Sequence, residues 1–202
     1  MRKPTHVAFA LAVLAGAGWL LLSDRSSAAD DDKANPAVAD GLLKIADALA
    51  KDDEDGAKKQ AAALSKKVDE LHDVMHMFKP RAKKGFGVGA KKDNITPDGI
   101  EDMIRGLARD VPSQAKVNKQ AAALERMGYI TAAMMEVAMA LPPEKFELKQ
   151  TKKLWMETAT ASRDAGIELA KAARDKSPAA LKTAASRANN GCVNCHAEFR
   201  SN

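Results

Sequence analysis

The residues best equipped for chemistry lie near the end of the chain, where Cys192-Val193-Asn194-Cys195-His196 occupy five consecutive positions. On a helix, positions i, i+3 and i+4 share a face, so both thiols and the imidazole point the same way. This C-x-x-C-H pattern is that of covalent haem attachment, in which two thiols add across two vinyl groups and the adjoining imidazole is offered to the iron. Three other uses compete. A disulfide would close a tiny loop, restrain the unfolded chain little, and leave His196 without a role. A thioredoxin-like redox pair needs a strand-to-helix turn in a βαβ setting. A zinc site needs about four ligands, of which the motif supplies three. The spacing is therefore read as a haem site, with one haem c on Cys192 and Cys195 and His196 as the iron ligand. Leu181, Ala185, Ala188, Cys192, Cys195 and Phe199 form one stripe at helical spacing. The small residues before the motif predict room for a flat macrocycle entering the core.

Other groups carry weaker chemistry. His72 and His76 form an i, i+4 pair beside Asp69 and Asp73, a spacing able to bind a metal, but without a third His it is read as a solvated polar edge. Lys79, Arg81, Lys83, Lys84, Lys91 and Lys92 put six positive charges into 14 residues with no acid among them. Two accounts stay open for that segment: a solvated loop, or a docking face for an acidic redox partner. The run Gly85-x-Gly87-x-Gly89 follows a helix rather than a strand, which speaks against a phosphate-binding loop. No acid, base and nucleophile gather beside the motif, so the chain is not read as an enzyme.

The elements that must position the motif are helical. Apolar residues make up 46% of the 202 positions and aromatic residues only 4%, and the Ala-rich runs favour helix because Ala loses no side-chain entropy there. Asn35-Pro36 offers a cap and a first-turn proline for a helix to about residue 50, with Val38, Leu42, Ile45, Ala46 and Leu49 on its face. Long helices are expected over about 57–79, 113–141, 144–175 and 178–200, each with one narrow apolar seam. Pro80 and Pro142-Pro143 stop two of them, and Ser177-Pro178 opens the last. Leu148, Trp155, Ser162 and Leu169 lie on the seam of the third. The expectation is an all-α, four-helix bundle, with shorter helices at 36–50 and 97–109 outside it.

The N-terminus has the form of an export signal. Arg2 and Lys3 precede an apolar stretch from Val7 to Leu22, and Ser27-Ala28-Ala29 is the expected cleavage site; a retained segment would instead anchor the protein to a membrane. In both cases the folded domain, 30–202, lies outside the cytoplasm, in the periplasm. Without Arg2, Lys3, Asp24 and Arg25 the formal charge falls from +5 to +3, too mild for a nucleic-acid binder.

The run Cys192-Val193-Asn194-Cys195-His196-Ala197-Glu198-Phe199-Arg200 resembles the C-terminal signature of class II c-type cytochromes, the cytochrome c-prime group. The resemblance covers about residues 145–202 and fades over 36–112. It implies a four-helix bundle, one c-type haem, His196 as proximal ligand, and a role in electron transfer or gas binding. Phe199 and Arg200 match the aromatic and basic positions after the haem histidine, which would set Arg200 near the haem, tuning it or pairing with a propionate. Members of the class often form homodimers. Low-spin relatives place a Met early in the first bundle helix; if 57–79 is that helix, Ala61 and Leu64 stand there and the distal face is open. Met75, near its other end, is the contrary candidate for the sixth ligand. One-electron transfer is the leading function, binding of nitric oxide or carbon monoxide the alternative, and a haem-free structural bundle the third.

Overall fold

The helices that start at 54, 114, 152 and 178 are each preceded by a side chain that caps them. The computed structural model describes residues 36–89, 95–147 and 150–200; the export signal and Asn35 lie outside the described residues. Helix α1 (Pro36–Leu49) begins on its proline and buries Val38, Leu42, Ile45, Ala46 and Leu49, the face expected from spacing. In α2 (Glu54–Ser65) the Asp53 carboxylate accepts from the Gly56 N–H at 2.9 Å, and Glu54 and Asp55 place negative charge against the positive end of the helix dipole.

The expected helix over 57–79 is broken. After α2 ends at Ser65, residues 66–70 are not α-helical, and α3 (Leu71–His76) is short. Lys66, Lys67, Asp69 and Glu70 surround the single buried Val68, so no helix face worth burying continues through them. The break also changes the phase: Val74, Met77 and Phe78 are buried, whereas Leu71 and Met75 are half-buried. A short 3-10 turn (Arg81–Lys83) and a loop lead to α4 (Ile100–Arg109), which buries Ile100, Met103, Ile104 and Leu107. Its one-sided face matches the expected one.

The three long helices are α5 (Gln114–Ala140), α6 (Lys152–Arg174) and α7 (Pro178–Phe199). Ser113, Thr151 and Ser177 cap them through their hydroxyls. Helix α6 starts later than the expected residue 144: Pro142-Pro143 precede it, the Thr151 hydroxyl accepts from the Leu154 N–H at 3.0 Å, and the Gln150 side chain accepts from the Glu147 N–H at 3.1 Å. Leu148 lies outside the described residues.

Among the described residues there are only helices and no strands, so the fold is all-α. Helix α6 packs antiparallel between α5 and α7. Gly128 and Gly166 let α5 and α6 approach to backbone contact: a Cβ on Gly128 would lie 2.5 Å from the Ala170 nitrogen. The fourth side of the bundle is shared, with α1, α2 and α3 against α5 and α4 against α7. Helix α4 is therefore part of the bundle and not outside it, since it packs along α7. Surrounded by shorter helices as well as α6, α5 is buried at every position from Met127 to Ala138, where a single seam was expected. Within that stretch Glu136 is 3% exposed and pairs with Arg163 at 2.9 Å.

Candidate functional site

The motif lies on the last two turns of α7. Leu181, Ala184, Ala185 and Ala188 are buried, whereas Cys192, Cys195 and Phe199 are half-buried. The stripe expected from spacing thus exists, but it is closed by packing as far as Ala188 and opens only from Cys192 onward. His196 is exposed. The accessible surface is accordingly at the end of the bundle, and the expectation of a macrocycle inserted into the core is not matched by the packing.

Side chains of α6 and of the connection before it hold this end of α7. Gly191 sits against Ser162 of α6: a Cβ there would collide with the Ser162 hydroxyl and come within 3.2 Å of its Cβ. Phe199 packs edge-on against Trp155, with ring centroids 5.0 Å apart, and against Phe146 at 6.3 Å. Trp155 is itself fixed by its indole N–H donating to the Ala138 carbonyl at 2.9 Å. The Gln150 side-chain amide donates to the Glu198 carbonyl, so the connection between α5 and α6 clasps the final turn. Arg200 ends the helix through its backbone N–H to the His196 carbonyl at 3.1 Å, and its side chain is exposed.

Both cysteines are free. Burial, then the neighbouring Cys195, then the Glu101 carboxylate push the Cys192 thiol up to about 11, and burial raises Cys195 as well. A pair built for disulfide exchange needs a lowered thiol, which a helix N-terminus or a nearby cation provides. Here the thiols sit near a helix C-terminus, whose partial negative charge disfavours thiolate further. The donor set does fit a tethered haem: two protonated thiols on one face, one turn apart, with an imidazole on the next residue. Among the described residues no group of three or more His, Cys, Asp or Glu converges to hold a metal ion.

Glu101, whose charge is felt at Cys192, was missed by sequence reasoning, since the helix carrying it was expected outside the bundle. Ser162 and Trp155 were placed only as seam residues. A sequence signal existed for the Ser162 contact: a glycine inside a helical pattern, as at 191, marks a close approach.

The basic loop is more structured than its composition suggests. The Arg81 guanidinium binds the Asp98 carboxylate and donates to the carbonyls of Val88, at 3.4 Å, and Gly89. The Arg81 N–H donates to Asp98 at 3.0 Å. Gly87 has φ +66°, and a Cβ there would lie 2.5 Å from the guanidinium; the glycines wrap the chain around this ion pair. Lys79 pairs with Glu101 at 3.5 Å. Of the six cations, Lys83 and Lys84 are exposed and enter no ion pair among the described residues, while Lys91 and Lys92 lie outside them. His76 faces the Lys83 carbonyl at 2.6 Å and His72 edge-on at 6.1 Å. Among the described residues no helix is long and apolar enough to cross a membrane.

No protein-family model matches this chain, and neither the curated proteins nor the solved structures contain a match to it.

Proposed function

We propose that the chain is an exported, periplasmic monohaem c-type cytochrome of the class II type that carries single electrons, with one haem c tethered by Cys192 and Cys195 and ligated by His196. The observation that carries this reading is the donor set itself: two free, protonated thiols on a half-buried stripe of one helix, followed by an exposed imidazole. Each Cys delivers its sulfur to one vinyl carbon and its hydrogen to the other, an addition with no leaving group and no net oxidation. When bound, the haem supplies a one-electron iron couple whose potential follows ligation, charge and exposure. The chain's residues do the rest. Gly191 against Ser162, and Phe199 against Trp155 and Phe146, hold the motif-bearing turns on α6 and the connection before it. Arg200 is available to a propionate beyond the last turn. Lys83 and Lys84 offer the exposed charge for an acidic redox partner.

Binding of nitric oxide or carbon monoxide at an open sixth position is the second reading. One observation favours it: Met75 packs against the hydrophobic core from a six-residue helix, so its thioether already has an apolar partner. The break of helix 57–79 removes the other argument for an open face, which took that segment as a continuous bundle helix.

Intact mass after expression with a haem-attachment system tests the assignment. One added haem is expected, with acid-resistant attachment weakened by Cys192→Ser or Cys195→Ser; an unmodified mass overturns it. Spectra of wild type and Met75→Ala then separate the two functions. A sulfur-to-iron band lost in the variant would make the protein a dedicated carrier.

A further inference from the structure

We infer that Glu101 sets the electrostatic surroundings of the haem from the α4 side and holds its reduction potential down; this rests on the haem assignment above. Helices α4 and α7 run antiparallel: the Ser186 hydroxyl donates to the Ala108 carbonyl at 3.3 Å, and Gln114, five residues after α4 ends, donates to the Lys176 carbonyl at 2.9 Å just before α7 begins. Because both helices rise equally per residue, seven steps back along α4 and seven forward along α7 bring Glu101 level with Val193, beside Cys192. The carboxylate there is not a free rotor. Lys79 holds it at 3.5 Å and Arg105 at 2.6 Å, and the Glu101 N–H donates to the Phe78 carbonyl at 3.3 Å. The same carboxylate raises the Cys192 thiol, which is the effect of a negative charge felt at the attachment point.

A fixed negative charge beside the ring favours ferric over ferrous iron, since the ferric form carries one more positive charge. The two flanking cations oppose it. Removing the acid and removing a cation must therefore move the redox equilibrium in opposite directions, which a purely structural role of the network would not produce.

The experiment is a spectroelectrochemical titration of holoprotein for wild type, Glu101→Gln, Lys79→Gln, Arg105→Gln and Asp102→Asn. Glu101→Gln should shift the equilibrium toward ferrous by about three- to tenfold, tenfold being about 59 mV for one electron. Lys79→Gln and Arg105→Gln should shift it toward ferric, Asp102→Asn should move it least, and every shift should shrink at high salt because these side chains are partly solvated. Shifts under about twofold for Glu101→Gln, or the same sign for acid and cation removal, overturn the inference while a haem-loaded wild type leaves the cytochrome assignment standing. If Glu101→Gln does not fold, Glu101→Ala is read in its place, with the same shift toward ferrous expected and a shift under about twofold overturning the inference. A wild type without haem overturns both.

Discussion

Replacing Gly191 by Ala tests how the motif is held. The added methyl would overlap the Ser162 hydroxyl and lie 3.2 Å from its Cβ and 3.4 Å from its Cα. Overpacking of this kind costs about 1–3 kcal/mol, and an alanine in place of a helical glycine returns about 1 kcal/mol. The net expectation is a loss of about 1 kcal/mol, or roughly 2–4 °C in Tm for a chain of this size. Ser162→Ala alone should be nearly neutral: its hydroxyl donates only to the Thr158 carbonyl of its own helix at 2.9 Å, a bond that adds little to a helix. In the double variant the oxygen is gone and the remaining contacts need only a few tenths of an ångström. Stability should return to the wild-type value or above it, giving a coupling of about 1–2 kcal/mol between the two sites. Urea unfolding of the four proteins followed by far-ultraviolet circular dichroism measures the cycle. A Gly191→Ala protein as stable as wild type, or a double variant as unstable as Gly191→Ala, would refute the close α6–α7 contact.

His196→Ala should leave the haem mass unchanged while altering the absorption spectrum, because thioether attachment and iron ligation are separate bonds; an unchanged spectrum would assign the ligand elsewhere. In protein prepared without haem, the raised Cys192 thiol makes folding stability fully present below the ordinary thiol value of 9.0 and progressively lost as pH rises to about 11, since the unfolded chain ionises first. Stability curves against pH should show this loss in haem-free protein and not in holoprotein, whose thioethers cannot ionise. Gly106→Ala, where an added methyl meets nothing within 4 Å, should stabilise the protein by about 0.5–1 kcal/mol. Gly128→Ala should destabilise it by roughly 2–3 kcal/mol, since its neighbours on α6 are backbone atoms that cannot turn aside; thermal melts of the two distinguish them.

Local signals carried far where one face of one helix decided the outcome. The buried set of α1, the start of α7 at Ser177-Pro178 and the face of α4 all follow from apolar spacing and capping. Spacing failed where a pattern continued through residues that could not be buried together. Leu64, Val68, Leu71, Met75 and Phe78 keep helical period, yet the charged Lys66, Lys67, Asp69 and Glu70 interrupt the helix and hand burial to Val74 and Met77. The positions of α4 and Glu101 were illegible for another reason: which helix covers α7 is a tertiary choice that neither segment encodes alone. The helical placement of the motif cysteines and histidine was legible because it follows from local spacing. The exposure of His196 was not, because it depends on where the neighbouring helices stop. The partners of Arg81 and Lys79 in the charge run at 79–92 were not legible from its composition, since Asp98 and Glu101 lie beyond its end.

The edge contact between Trp155 and Phe199 also equips the protein with an internal optical reporter. The chain has two tryptophans, Trp19 and Trp155, so one that has lost residues 1–29 keeps Trp155 alone. Its indole is buried and oriented by the Ala138 carbonyl, against a ring three residues beyond His196. Porphyrin absorption overlaps indole emission, so excitation energy would pass from Trp155 to a haem tethered on α7 instead of being emitted. Fluorescence of the unlabelled protein would then read haem loading directly, bright in the empty chain and dark in the filled one.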